Sequence, residues 1–128
     1  MDANKFRRLM WFAVVMVFIA FLMSMCDKAH SAEVFKITAY CSCHKCCNKI
    51  DGITASGLPA RDGYVACNWL PFGTKVNIEG MGVYSVQDRG ARSLFGSKKN
   101  HIKHLDVWFP SHKEARNFGV QYKKVEVL

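Results

Sequence analysis

Two sets of residues in this 128-residue chain carry side chains able to do chemistry. The first is the run Cys41-Ser42-Cys43-His44-Lys45-Cys46-Cys47, a C-x-C-x-x-C-C spacing followed later by Cys67. Thiols at this density pair as disulfides by default in an oxidising compartment. The alternative is a tetrahedral metal held by thiolates, with His44 as the imidazole. Five cysteines follow residue 32, so pairing leaves at least one thiol over, and a bond between the neighbours Cys46 and Cys47 would be strained. Disulfides are therefore the first reading and no metal is assigned. The second set is two carboxylates. Asp88 precedes Arg89-Gly90, where an aspartate commonly bonds the backbone of a turn. Asp106 stands between Leu105 and Val107, and in a strand it points away from both.

The elements that must position these groups are mostly strands. Val34 to Tyr40 alternates apolar and polar positions and leads into the cysteine loop, which runs to about Gly52. Thr54-Ala55-Ser56-Gly57 and Pro59 form turns, and Tyr64 to Cys67 is a short apolar run. Leu70-Pro71-Phe72-Gly73 breaks the chain before Thr74 to Ile78 alternates again. Val83 to Gln87, Leu105 to Phe109 and Lys123 to Leu128 supply further strands, with the glycine- and lysine-rich segment from Arg89 to His104 read as loop. His101 and His104 belong to that loop, near enough to Asp106 to assist it or simply lining a mobile segment. One helix is clear: Ser111 and Glu114 have the spacing of a capping box, Ala115 and Phe118 share a face, and Gly119 ends it. Short strands, glycine-rich turns and one helix predict a small closed barrel, because closure removes exposed sheet edges.

Ahead of this domain, residues 1–32 divide as a signal peptide does. Lys5, Arg7 and Arg8 form a positive start, residues 9–26 are almost wholly apolar, and Ala29-His30-Ser31-Ala32 offers small residues for cleavage after Ser31 or Ala32. If uncleaved, residues 9–26 approach the length of a membrane anchor. The expected organisation is thus a signal or anchor over 1–32 and one domain over 33–128, secreted, periplasmic or held at the cell envelope. The net charge of +8 falls to +6 when four basic and two acidic residues leave with the first 32. A basic exported domain suits an anionic cell wall. Nucleic acid is excluded as a partner, since Lys98, Lys99 and Lys103 sit in a loop and not on a basic helix or an aromatic-studded sheet.

The order Thr38-Ala39-Tyr40, Thr54-Ala55-Ser56-Gly57, Leu70-Pro71-Phe72-Gly73-Thr74-Lys75-Val76, Val86-Gln87-Asp88-Arg89-Gly90 and Leu105-Asp106-Val107-Trp108-Phe109 resembles the three-aspartate (3D) domain. That domain belongs with the catalytic core of the membrane-bound lytic transglycosylase A family and with stationary-phase survival and resuscitation-type wall enzymes. The resemblance implies a six-stranded double-psi β-barrel that cleaves the bond between N-acetylmuramic acid and N-acetylglucosamine in peptidoglycan glycan strands. It also implies three aspartates, of which Asp88 and Asp106 are present while Asn68 stands at the first position.

An ordinary glycosidase needs two carboxyl groups. In a lytic transglycosylase the sugar's own C6 hydroxyl attacks, giving a 1,6-anhydro product, so one carboxyl can serve as acid and then as base without a cofactor. By the match that residue is Asp106, protonated near neutral pH through burial beside Asp88. Asn68, Thr54 and Ser56 are the expected substrate contacts, although turn chemistry explains the last two equally well. Trp69 and Trp108 stack on sugars or belong to the core. Two readings from other classes stand beside the enzyme: a barrel that binds glycan strands without cutting them, as rare-lipoprotein-type and expansin-like barrels suggest by analogy, and a cysteine-stabilised or metal-binding envelope module.

Overall fold

Alternation builds the sheet. A computed structural model describes residues 2–24, 31–48 and 50–128, and among them helix α1 (Ala3–Ser24) precedes β1 (Glu33–Tyr40). There follow α2 (His44–Cys47), β2 (Tyr64–Ala66), β3 (Lys75–Ile78), β4 (Gly82–Asp88), α3 (Arg92–Phe95), β5 (His104–Trp108), α4 (His112–Phe118) and β6 (Gln121–Val127). The six described strands close into a barrel in the order β1-β5-β2-β4-β3-β6. The pairs β1/β5 and β2/β4 are parallel and the other four antiparallel.

Alternate residues of these strands form the core: Phe35 and Ile37 from β1, Val76 and Ile78 from β3, Leu105 and Val107 from β5, with Val65, Val86 and Val125. Each buried side chain of this size contributes roughly 1.5–3 kcal/mol against exposure, so the barrel interior is the main source of stability. Helix α4 packs on β1 and begins as its capping box predicts: Ser111 Oγ accepts from the Glu114 backbone N–H at 3.2 Å and bonds the Glu114 carboxylate at 2.7 Å.

Two short helices replace segments read as loop. The single turn α2 forms because the Cys46 and Cys47 N–H groups both bond the Cys43 carbonyl at 3.1 Å. The turn α3 is held from outside, its Phe95 buried and stacked on His104 at 4.1 Å between ring centroids. Gly90 permits this packing, since a Cβ there would stand 2.2 Å from the Phe95 ring.

The apolar N-terminal segment is helical over α1, with Lys5, Arg7 and Arg8 in its first two turns and Phe12, Val17 and Phe21 exposed. Among the described residues no helix is long and apolar enough to cross a membrane. Ala29 and His30 of the expected cleavage segment lie outside the described residues.

Candidate functional site

The barrel places both aspartates around one small residue. Ala66 of β2 pairs with Asp106 on β5 and with Asp88 on β4, so the two carboxylates flank it about 9–10 Å apart at the backbone, two strand spacings. On β5 the neighbours Leu105 and Val107 fill the core, and alternation turns Asp106 to the outer face with Thr38, its register partner on β1. Asp88 reaches that face through an irregularity. The register of β2 and β4 shifts between Val65 and Ala66, so that Val65 pairs with Val86 but Ala66 with Asp88. Without the shift Gln87 would stand opposite Ala66; bulges re-aim side chains in this way.

The environments of the two carboxylates differ. Asp88 accepts three hydrogen bonds: from the Tyr40 hydroxyl at 2.7 Å, the Ala55 N–H at 2.9 Å and the Arg89 N–H at 2.8 Å. Three donors suit an ionised carboxylate. Burial, reinforced by this contact, raises the Tyr40 phenol well above its ordinary value and keeps it a proton donor. Asp106 accepts far less help. Burial pushes its carboxyl up to about 6, the Thr38 hydrogen bond opposes the rise and the Asp88 charge adds to it. Burial is thus the larger cause and the second carboxylate the smaller.

Behind Asp106 runs a chain of proton donors and acceptors. Thr38 Oγ1 lies 2.9 Å from Asp106 Oδ1 and 2.7 Å from His104 Nε2, while His104 Nδ1 lies 3.2 Å from the Leu94 carbonyl oxygen. Burial lowers the His104 imidazole, favouring its neutral form. Thr38 donates its hydroxyl proton to the Asp106 carboxylate, which is why this contact opposes the rise of the Asp106 pKa, and its oxygen faces His104 Nε2. His104 opens β5, is 4 % exposed and is locked under α3, correcting its reading as a loop residue. His101 stays at the surface, stacked on Trp69 at 4.7 Å.

The remaining expected contacts are occupied within the protein. The Asn68 amide donates to the Gly90 and Gly96 carbonyls at 3.0 and 2.9 Å and accepts from the Gly90 N–H at 2.8 Å, so it pins the segment carrying α3. The buried Thr54 hydroxyl donates to the Leu58 carbonyl at 2.9 Å and meets Ser56 Oγ at 3.0 Å, and both shape the turn that aims the Ala55 N–H at Asp88. Trp108 donates to Ser42 Oγ at 2.9 Å, and Trp69 donates to the Ile102 carbonyl at 3.2 Å.

The cysteines divide three ways. Cys67 is buried in the barrel core as an apolar side chain. The Cys47 thiol donates to the Cys43 carbonyl at 3.3 Å. Cys41, Cys43 and Cys46 converge, with Cys41 Sγ 3.0 Å from Cys43 Sγ and 3.4 Å from Cys46 Sγ, and His112 at the start of α4 joins them. These separations are well beyond the roughly 2.05 Å of a disulfide. The expected pairing is therefore absent among the described residues, and His44, the imidazole named from the sequence, is not in the cluster. The Cys43 thiol is drawn down to about 6, first by its contact with Cys41 and then by the backbone N–H groups of Cys46 and Lys45. Burial and the neighbouring thiols push Cys41 up to about 12.

A groove of about 590 Å³ joins these regions. The strand ends Tyr40, Ala66 and Asp88, with Asp106, form one wall, and Lys45, Cys46 and Asn48 belong to the other. This volume suits a small ligand or part of a polymer chain. Chemically, the arrangement offers a carboxyl that holds its proton up to about pH 6 beside a fixed carboxylate. Reading the sequence alone passed over Thr38, Tyr40 and His112. The signal for the first two is the alternation of β1, which puts both on the face opposite Phe35 and Ile37; no local signal marks His112, 66 residues from Cys46.

No protein-family model matches this chain. Over 85 residues it is 35% identical to the cell wall-binding protein YocH of Bacillus subtilis (strain 168). The alignment takes in 62% of this chain and 27% of that protein, so the chain spans about a quarter of the relative's length.

Proposed function

We propose that the chain works at the cell envelope on peptidoglycan glycan strands, as a lytic transglycosylase of the 3D-domain type on a double-psi barrel. The observation that carries the reading is the Asp106 carboxyl, pushed up to about 6 in the groove while Asp88 beside it accepts three hydrogen bonds. Likeness to a wall-binding protein supports the location and the class of ligand. The closed strand order with two parallel pairs supports the barrel type.

In this mechanism Asp106 gives its proton to the glycosidic oxygen as the bond to the anomeric carbon breaks. The muramic acid C6 hydroxyl then adds to that carbon and returns its proton to Asp106, closing the 1,6-anhydro ring. Asp88 stands beside the developing cation, and Thr38 donates to the Asp106 carboxylate once it has given up its proton. Asn68 supports the loop over the groove, and the domain is exported by way of residues 1–32.

A second reading, a module that binds the wall without cutting it, draws on the relative's name and on Asn68 in place of the third aspartate. Mass spectrometry of soluble products from purified murein incubated with the full chain decides between them. Anhydro-muropeptides are the expected result. Reducing-end products would replace transglycosylation by hydrolysis, and retained binding with no product would leave the binding module.

A further inference from the structure

We propose that Cys41, Cys43, Cys46 and His112 form a structural zinc site that holds the cysteine loop against α4. The four ligand atoms all lie within 4.8 Å of one another. His112 Nδ1 is 3.9 Å from Cys41 Sγ, 3.5 Å from Cys43 Sγ and 3.3 Å from Cys46 Sγ. Bond lengths of about 2.3 Å to sulfur and 2.0–2.1 Å to nitrogen give a tetrahedron with edges of about 3.8 Å between sulfurs and 3.5 Å from sulfur to nitrogen. The nitrogen-to-sulfur separations bracket their edge, while the sulfur separations of 3.0 and 3.4 Å fall short of theirs, so an ion at the centre needs the sulfurs to spread by about 0.4 to 0.8 Å.

The donor set selects the ion. Three thiolates and an imidazole suit zinc, whereas calcium and magnesium take oxygen ligands. Four protein donors fill the tetrahedron and leave no open position, which marks a structural and not a catalytic centre.

A disulfide explains the arrangement less well. It would use two of three converging sulfurs and leave the third, with His112, facing a spent pair. The zinc site uses all four groups and resolves the odd cysteine count, because Cys67 belongs to the core and Cys47 to the backbone of α2.

Placement gives the site its consequence. Cys41 follows the last residue of β1, Cys43 and Cys46 bracket the turn of α2, and His112 opens α4, which packs on β1. The ion would tie together segments 66 to 71 residues apart. Lys45 and Asn48, next to the ligands, line the groove opposite the aspartates, so the ion holds one groove wall in place.

The test is anaerobic titration of the reduced, chelator-stripped full chain with Co²⁺ and then Zn²⁺. One Co²⁺ per chain, with thiolate-to-cobalt charge transfer and the intense visible bands of a tetrahedral site, is expected, displaced by one Zn²⁺ that raises the melting temperature. Cys46→Ser and His112→Ala should each weaken cobalt binding by more than about 100-fold, beyond the usual cost of losing an outer-shell partner. His44→Ala, Cys47→Ser and Cys67→Ser should keep the spectrum. Cys46→His should still bind a tetrahedral ion, with reduced charge transfer, which keeps the test sound if the loss variants fold poorly. A pale octahedral spectrum, no uptake, or dependence on His44 or Cys47 would overturn the site. So would metal-free protein, purified without reductant, whose mass places a disulfide between Cys41 and either Cys43 or Cys46.

Discussion

The two walls of the groove are built by different physics. On the strand wall, backbone register sets the positions: Ala66 stands between Asp106 and Asp88, and Asp88 meets three donors while Asp106 meets Thr38. On the loop wall there is little ladder to set anything, and Cys41, Cys43, Cys46 and His112 chiefly face one another. A wall held by register tolerates a change of charge and answers with altered proton chemistry. A wall held by side chains answers to whatever links those side chains.

The sharpest way to break this contrast is Asp106→Asn, which keeps the shape but cannot give up a proton. Murein cleavage should fall by about 10²–10⁴-fold while co-sedimentation with murein persists. Stability should move the other way. A carboxyl raised to about 6 in the fold holds its proton more tightly there than in the unfolded chain, so folding stability falls as pH rises from about 4 to about 6. The wild-type penalty reaches about 3 kcal/mol above that window, at 1.36 kcal/mol per unit. Urea melts should find Asp106→Asn the more stable protein at pH 7 and the difference closed below about pH 4. A variant less stable at both pH values would mean that register does not by itself hold this wall. In the wild type, cleavage should decline as pH rises through about 6, where the acid form is lost.

Asn68→Asp sharpens the comparison from the side of the supporting loop. The substitution restores the carboxylate of the three-aspartate pattern, but it removes both donors to Gly90 and Gly96 and sets negative charge against two carbonyl oxygens. At about 1–3 kcal/mol for each orphaned partner, thermal unfolding should come about 10 °C earlier or more at neutral pH. An unchanged melting temperature would show that the α3 segment is held without Asn68. The smallest effect is expected from Thr38→Val, which cuts the chain between Asp106 and His104. Because the Thr38 hydrogen bond lowers the Asp106 pKa, its loss should move the falling limb of the pH–rate profile upward. A downward move would place the controlling interaction elsewhere.

Much of the barrel is legible in the sequence because alternation is a local property. Phe35 and Ile37 announce which face of β1 is buried, Leu105 and Val107 do so for β5, and Asp106 on the opposite parity is thereby turned outward. Ser111 and Glu114 announce the start of α4 through a bond three residues long. The turn over Thr54 to Gly57 is equally local, although its use, aiming the Ala55 N–H at Asp88, is not.

What only the tertiary structure decides is what depends on pairing between distant segments. The shift between Val65 and Ala66 brings Asp88 to the face of Asp106, and no pattern within either strand encodes a register between two strands. Asn68 becomes a clasp for the α3 segment and not a reach toward substrate because Gly90 and Gly96 happen to fold beside it. His112 meets the cysteines because α4 packs on β1, while His44, inside the run, stays outside their cluster. Local composition named the kinds of chemistry this chain carries. Which residues join to perform it follows from the closure of the barrel, since closure sets which strand ends, and hence which side chains, come together.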